Sequence, residues 1–353
     1  MAANYWESTQ RKHWQFTKDE LAAIRQRLDD EDPAVVQMFP LPQLRHLNIY
    51  FNQQINRLGK RLGVRQQAMA TAQVYLKRFY TRVPIRQTNP YLVITTALYL
   101  ACKMEECPQH IRLLSQEARS LWPSDMHGLD APRVGECEFS LISEMQSQLI
   151  VHQPYRTLLA VQDEFALTHD EMSLAWTVIN DHYMTDLPLL HPPHVVALTA
   201  VLLALVLRPS SSGAGAGAAG GGGSAAAAAA ANAAGGVAMA ATALAQAQAR
   251  AAAMAGGTPG FGSQGSQQQQ QMGYSQVASQ GEGQAAEPKK ATDPRLAKVQ
   301  RFAAWLAESN IDIEAMVDCT QELISFYECH EQYNDKHTRE QISRFIKARS
   351  LDK

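Results

Sequence analysis

The sequence contains almost no alternation of apolar and polar residues with a period of two, the pattern that half-buried β-strands require. Apolar residues recur instead at spacings of three and four, for example at Met69, Ala72, Leu76, Phe79 and Val83. This spacing is typical of helices that bury one face. The sequence therefore predicts an all-α fold.

The chain also lacks an excess of charge of either sign, with 32 Lys and Arg residues against 34 Asp and Glu residues. Proteins that bind nucleic acids usually present a concentrated basic face, so direct binding to nucleic acid is not expected. The most apolar run, residues 195–207, is shorter than the about 20 residues that cross a bilayer. We predict that it forms a buried helix and that the protein has no membrane partner.

The five cysteines are odd in number and show no paired metal-ligand spacing, which favours reduced thiols inside a cell over a disulfide framework. No signal peptide is visible at the N-terminus. Cys102, Cys107 and Cys137 are interpreted as small core residues.

The sequence lacks the motifs of the common catalytic sites. Three glycines between 213 and 217 have no strand before them and no Lys-Ser or Lys-Thr after them, so a phosphate loop is disfavoured. His182, His191 and His194 have no carboxylate or cysteine at ligand spacing, which favours turn or capping histidines over a metal site. No serine lies in a Gly-x-Ser-x-Gly motif. We predict a protein without catalytic residues, cofactor or metal.

Residues 209–292 are low in complexity and consist mainly of Gly, Ala, Ser and Gln, which predicts a disordered insert. Closing such a loop costs about 2 kcal/mol more than closing a short one, so a domain tolerates the interruption. Helical spacing resumes after Asp293 and Pro294, which have cap-then-proline order, and continues through Val299, Phe302 and Leu306.

The run from Asn89 to Glu106 opens like a helix, with Asn89 as the cap and Pro90 in the first turn. Its end is unusual, because Glu105 and Glu106 lie where the helix dipole disfavours negative charge. Two interpretations stay open at this point: the acids have a function, or they belong to a next helix that starts at Pro108.

The helical pattern gives about five helices from residue 41 to 151 and about five more from 154 to 331, once the insert is removed. Thr168 and Glu171 have the spacing of a capping box at the start of one of them. The predicted organisation is an N-terminal helical segment (1–40), a first unit (41–152), a second unit (153–335) interrupted by the insert, and a C-terminal tail (336–353).

Three segments, 75–80, 100–106 and 135–139, resemble the second, third and fifth helices of a first cyclin box, in the correct order. The chain thus resembles the cyclin family. Segments 4–6 and 64–72 are similar to the cyclin-like subunits of the RNA polymerase II Mediator complex. The resemblance covers residues 1–208 well and 293–335 in pattern, and it implies tandem five-helix cyclin-box repeats with an N-terminal helix and the long insert in the second repeat.

The resemblance implies a nuclear, non-catalytic regulatory subunit that binds and activates a cyclin-dependent kinase of the Mediator kinase module. Its partners would be that kinase, the accessory subunits of Mediator and, indirectly, the RNA polymerase II holoenzyme. The partner kinase would phosphorylate the polymerase C-terminal domain and so regulate transcription, with activation or repression as the outcome. Lys103 and Glu138 match the cyclin residues that hydrogen-bond the kinase around its mobile αC helix.

Trp6 and Glu105 match a surface that joins the cyclin-like subunit to a large accessory subunit. The alternative is that Trp6 packs as an N-terminal anchor and that Glu105 is solvated, since exposed aromatic residues mark interfaces only statistically.

The sequence departs from cell-cycle cyclins, in which an arginine of the first helix pairs with an aspartate of the second. Asn48 and Lys77 occupy those places, and Gln54 replaces the tryptophan of the substrate-docking patch. The chain therefore resembles a transcriptional cyclin. Another transcriptional cyclin remains an alternative, as does a general transcription factor of the B type, which has the same tandem helical repeat and contacts DNA.

Overall fold

A computed structural model of the protein describes residues 4–123, 130–207 and 294–351, and every regular element in these ranges is helical. The N-terminal segment holds a 3-10 helix (Tyr5–Glu7) and helices α1 (Thr9–His13), α2 (Lys18–Asp30) and α3 (Pro33–Met38). The first repeat contains α4 (Leu44–Arg61), α5 (Gln66–Phe79), a 3-10 helix (Ile85–Gln87), α6 (Pro90–Met104), α7 (Ile111–Leu121) and α8 (Ala131–Glu144). The second repeat contains α9 (Tyr155–Val161), α10 (His169–His182), α11 (Leu187–Leu190), α12 (Pro193–Leu207), α13 (Pro294–Glu308) and α14 (Ile313–Glu331). A last helix, α15, spans Asp335–Ala348.

Helix α6 is the centre of the first repeat and packs against α4, α5, α7 and α8. The predicted cap at its start is confirmed: the Asn89 side chain accepts a hydrogen bond from the Tyr91 amide at 3.0 Å, and Pro90 occupies the first turn. The next helix begins at Ile111, with His110 as its cap, so the start predicted at Pro108 is wrong by one turn.

Helix α12 has the same central position in the second repeat and packs against α9, α10, α13 and α14. It is apolar along nearly its whole length, and all its residues except the half-buried His194 and Leu207 are buried, as predicted for the run 195–207. The two repeats thus share one arrangement, in which four helices surround the most apolar one. The fold class predicted from the sequence is confirmed, whereas the residue limits of the units stay a prediction.

The chain returns to the same core after the insert, whose predicted range 209–292 lies outside the described residues. The capping box of Thr168 and Glu171 at the start of α10 is confirmed. Lys298 of α13 donates a hydrogen bond of 2.9 Å to the Glu171 carboxylate, and the ring of Phe302 lies edge-on to Phe165, with centroids 4.9 Å apart. These contacts fasten α13 to the part of the repeat that precedes the insert.

The segment predicted as a C-terminal tail forms α15, which packs on α4 of the first repeat. Ile342, Phe345 and Ile346 are buried in the first core. Their spacing of three and four is the helical pattern that the sequence analysis used elsewhere and did not apply to this segment.

The N-terminal segment is held by Trp14, which is fully buried. Its indole Nε1 donates to the Gln148 side chain at 2.7 Å, and the guanidinium groups of Arg78 and Arg82 lie 5.3 and 5.4 Å from its ring centroid. Arg78 is also fully buried and donates to the Gln148 carbonyl at 2.8 Å. Burial lowers the pKa of Arg78 to about 10. One contact therefore joins α1, α5 and the linker between α8 and α9.

We expect Trp14→Ala to lower the free energy of unfolding by about 3–5 kcal/mol, because it removes a large buried ring and uncovers a buried cation. Urea unfolding followed by circular dichroism measures this. Trp6→Ala is the matched control, since the Trp6 ring is 53% exposed, and its effect should stay within about 1 kcal/mol. Equal effects of the two substitutions would contradict the anchoring role of Trp14.

A second stability prediction concerns His182, which is buried at the end of α10, where its Nδ1 contacts the Ile179 carbonyl. Burial lowers its pKa to about 3. Below pH 6.5 the histidine binds a proton in the unfolded chain but not in the folded one. The contribution of His182 to the free energy of unfolding is therefore fully present above pH 6.5 and is lost as the pH falls toward 3. Asp181 opposes it between pH 3.8 and 6, because burial raises the pKa of the folded carboxyl to about 6.

We expect the loss of unfolding free energy between pH 7 and pH 5 to be about 2 kcal/mol smaller in His182→Leu than in the unmodified protein. Urea titrations at both pH values measure the difference, and Asp181 contributes equally to both proteins. Parallel losses in the two proteins would show that His182 does not cause the acid sensitivity.

Candidate functional site

The two residues predicted to bind a kinase lie together at the contact between α6 and α8. Lys103 is in the last turn of α6 and Glu138 is in the middle of α8, and their ammonium and carboxylate groups form an ion pair. The Lys103 side chain is 39% exposed and that of Glu138 is 14% exposed. The Lys103 Nζ also lies 4.6 Å from the Tyr99 ring centroid. The Tyr99 ring and the mostly buried Glu138 carboxylate thus orient the Lys103 ammonium, which a partner can still reach from solvent.

Two apolar side chains beside the pair face solvent. Phe139 is 78% exposed, and Met104 is also among the exposed large apolar residues. We call Lys103, Met104, Glu138 and Phe139 the α6–α8 patch. Phe139 and Met104 were not among the predicted site residues, although Phe139 falls outside the buried spacing of Val134 and Leu141. An exposed aromatic beside an oriented charge pair is typical of a protein-binding surface.

Two of the cysteines interpreted as core residues, Cys102 and Cys137, lie next to the patch; Cys102 is buried and Cys137 is half-buried. Burial raises the pKa of Cys102 to about 12 and that of Cys137 to about 11, so both remain protonated thiols at neutral pH. Cys137 contacts Thr96 of α6 and therefore serves the packing of α8 on α6.

The end of α6 explains the unusual pair of acids. The Cys107 amide donates to the Cys102 carbonyl at 2.9 Å and the Glu106 amide to the Lys103 carbonyl at 3.4 Å, while Glu106 has a positive φ of 52°. This is the Schellman arrangement that terminates a helix. The two acids therefore belong to the end of α6 rather than to the start of the next helix.

Glu105 is bound to the neighbouring helix α5. Its carboxylate accepts hydrogen bonds of 2.6 Å from Gln67 Nε2 and from Thr71 Oγ1. Thr71 in turn accepts from Gln153 at 2.7 Å, and Gln153 accepts from the Tyr183 hydroxyl. Glu105 is half-buried, so its carboxylate is bound to α5 while part of the side chain stays in contact with solvent. The chain of hydrogen bonds runs from the end of α6 through α5 to the second repeat.

Trp6 lies on the N-terminal segment against the start of α12. Its ring centroid is 5.3 Å from that of His194, and the Arg11 guanidinium lies 5.4 Å from it. The residue borders a cavity of about 700 Å³ between the N-terminal segment and the second repeat. Trp6 is thus partly packed and partly exposed, and no contact within the described residues joins it to Glu105.

The three histidines considered as metal ligands have separate surroundings. His191 Nε2 lies 2.9 Å from the Asp318 carboxylate, His194 packs on Trp6, and His182 contacts the Ile179 carbonyl. Within residues 4–123, 130–207 and 294–351, no three metal-ligating side chains are grouped as a metal site would require. In the same ranges, no helix is long and apolar enough to span a membrane.

Gln54, which replaces the docking-patch tryptophan of cell-cycle cyclins, points into the first core. It is buried, and its Oε1 accepts a hydrogen bond of 3.0 Å from the Trp122 indole. Gln54 therefore stabilises the packing of the segment after α7 and presents no docking surface.

Comparisons with known proteins identify relatives of the chain. The family described as cyclin, N-terminal domain, matches residues 37–150. The chain is 83% identical over 364 residues to the RNA polymerase II holoenzyme cyclin-like subunit of Chaetomium globosum, covering 100% of both chains. It is 67% identical over 357 residues to the protein of that description from Neurospora crassa, again covering 100% of both. A chain in the solved structure of the CAK complex from Chaetomium thermophilum bound to ATP-gamma-S is 22% identical, with a TM-score of 0.48, over 57% of this chain and 68% of that one.

Proposed function

The chain belongs to the family of RNA polymerase II holoenzyme cyclin-like subunits, and on that premise we propose that it binds and activates a cyclin-dependent kinase of the Mediator kinase module. It acts in the nucleus as a regulatory subunit without catalytic residues of its own. Phosphorylation of the polymerase C-terminal domain and the resulting control of transcription are the work of the partner kinase.

The observation that supports this proposal most is the composition of the α6–α8 patch. Lys103 supplies ammonium donors that are open to solvent, and Glu138 supplies a carboxylate acceptor held beneath them. A kinase segment that enters the patch would accept from Lys103 through its carbonyls and donate to Glu138 through its amides. Phe139 and Met104 would provide the apolar area that such a complex buries.

Activation follows if the patch fits only one position of the kinase αC helix. A kinase is active when the lysine that contacts the ATP phosphates pairs with a glutamate of that helix, which requires the helix to be turned inward. A partner with equal affinity for both positions would not shift their populations. The fixed orientation of the Lys103 and Glu138 pair, set by α6, α8 and Tyr99, would provide the required preference for the inward position.

We expect Glu138→Ala and Lys103→Ala each to weaken kinase binding by about 2–5 kcal/mol, because each removes a charged hydrogen bond and leaves the partner's polar groups unpaired. Affinity purification from nuclear extract, followed by a kinase assay on a polymerase C-terminal repeat peptide, measures binding and activation together. Glu136→Ala and Lys60→Ala, which remove exposed charges of the same types from α8 and α4, are the controls. Recovery of the kinase by Glu138→Ala at unchanged affinity would refute the assignment.

We also propose that Trp6 and Glu105 contact an accessory subunit of the module. Trp6 offers an exposed aromatic edge beside Arg11, and Glu105 holds a carboxylate at the end of α6. Exposed aromatic side chains are frequent anchors of protein interfaces. Only Met104 separates Lys103 from this acid, so a partner bound at Glu105 would touch the turn that also carries the kinase-binding lysine.

We expect Trp6→Ala and Glu105→Lys to reduce recovery of the accessory subunit by about ten-fold or more, as is usual for loss of an interface anchor, while kinase recovery is retained. Glu106→Lys, a charge reversal at the adjacent exposed residue, is the matched control. Mass spectrometry of the purified complexes measures both partners at once. Unchanged accessory-subunit recovery with both variants would favour a purely structural role for Trp6 and Glu105.

A further inference from the structure

A cavity of about 330 Å³ lies between the N-terminal segment and the two repeats, away from the α6–α8 patch. Its walls come from α2, α4, α5, the 3-10 helix Ile85–Gln87 and the start of α11. Much of the lining is apolar, and includes Leu47, Phe51, Ile55, Leu76 and Val83. Small-molecule sites in proteins have volumes of about 300–1,000 Å³ and combine such walls with a few polar groups.

Four of the charges at this cavity pair with one another. The Asp186 carboxylate accepts two hydrogen bonds of 2.8 Å from the Arg25 guanidinium and one of 3.1 Å from Asn48. The Asp29 carboxylate accepts one of 2.8 Å from Arg86. Each acid is therefore matched by one arginine, and these pairs leave no net charge.

Lys77 adds a fifth charge that has no such partner. Its side chain projects from α5 and is only 9% exposed, and its ammonium makes no hydrogen bond or ion pair with any residue that the structure describes. Asp186 acts on it only at longer range and Arg25 repels it, while burial lowers the pKa of Lys77 to about 8. The lysine still carries its charge at pH 7. The cavity thus has a net charge of about +1, concentrated on one buried ammonium.

Two buried amides beside Lys77 are also incompletely bonded. Asn56 donates to Asn52 Oδ1 at 2.9 Å and accepts from Gln73 Nε2 at 3.2 Å, which fixes the orientation of both neighbours. Asn52 Nδ2 and Gln73 Oε1 then have no partner within the described residues, and both residues line the cavity. Unpaired buried polar groups cost about 1–3 kcal/mol each, so their grouping with an unpaired cation points to a ligand.

We propose that this cavity binds a small monocarboxylic acid with an apolar body. Its carboxylate would accept hydrogen bonds from the Lys77 ammonium and the Asn52 amide, and its hydrocarbon part would lie along Leu47, Phe51 and Val83. A monoanion matches the single unpaired positive charge, whereas a phosphate group carries more charge and demands more donors than this wall offers. Since α2, α5 and α11 all border the cavity, the ligand would bridge the N-terminal segment and both repeats.

Octanoate is the probe for this proposal, and calorimetric titration of the full chain measures its binding. We expect saturable one-to-one binding, weakened about ten-fold or more by Lys77→Met, which keeps the length of the side chain and removes its charge. Lys77→Arg should retain binding, and Lys60→Met, at an exposed lysine of α4, should leave the affinity unchanged. Octan-1-ol, which has no charge, should bind the unmodified chain and Lys77→Met equally.

A second variant tests the cavity without altering its charge. Val83 is half-buried at the wall, and Val83→Trp should reduce octanoate binding by filling the space. Circular dichroism confirms that each variant is folded. Absence of saturable octanoate binding to the unmodified chain, which would mean that the cavity holds water only, overturns the proposal. Equal affinities of the unmodified chain and Lys77→Met overturn it too. Kinase binding plays no part in this experiment, so its result is independent of the function proposed above.

Discussion

A buried guanidinium without a carboxylate partner is the constraint on which much of the structure depends. Arg78 is fully buried, donates to a single carbonyl at Gln148, and has further guanidinium nitrogens without a hydrogen-bond partner in the described ranges. A cation in this position is tolerated only while the Trp14 ring covers it and the linker carbonyl faces it. The N-terminal segment, α5 and the linker after α8 must therefore be in place together. The hydroxyl of Tyr75, which donates to the next carbonyl at Leu149, strengthens the same junction.

This junction and the Glu105 hydrogen bonds fix the ends of the two helices that carry the α6–α8 patch. Helix α8, which carries Glu138, leads directly into the linker that Arg78 holds, and α6, which carries Lys103, ends at the acid that α5 holds. The helices that carry the two charges are thus fixed by contacts outside the ion pair, which is partly solvated and weak on its own. Fixing the positions of the helices before association reduces the ordering cost that a partner complex would otherwise have to offset.

Sequence reasoning predicted local features well and distant contacts poorly. The caps at Asn89 and Thr168 and the central apolar helices follow from rules that act within one or two turns. The prediction that Lys103 and Glu138 bind a kinase rests on the family resemblance, because no periodicity of the sequence distinguishes these two residues. The partners of Glu105 could not be predicted, since they lie 34 and 38 residues away in the sequence and are neutral side chains on an otherwise ordinary helix. The sequence of α15 has a helical pattern that could have been recognised. Nothing in that pattern indicates that the helix packs against α4, which lies near the other end of the chain.

The way in which α13 rejoins the second repeat has a practical consequence for engineering. Helices α12 and α13 pack against each other and against a common core, so the positions of Leu207 and Pro294 are set by that core and not by the residues that connect them. Lys298 and Glu171 fasten the returning helix within its first two turns. The junction is therefore a suitable location for new chain termini or for a fluorescent domain. A circular permutant opened there would keep both halves of the second core, and a fluorescent domain placed there would leave the packing of α12 and α13 on that core unchanged.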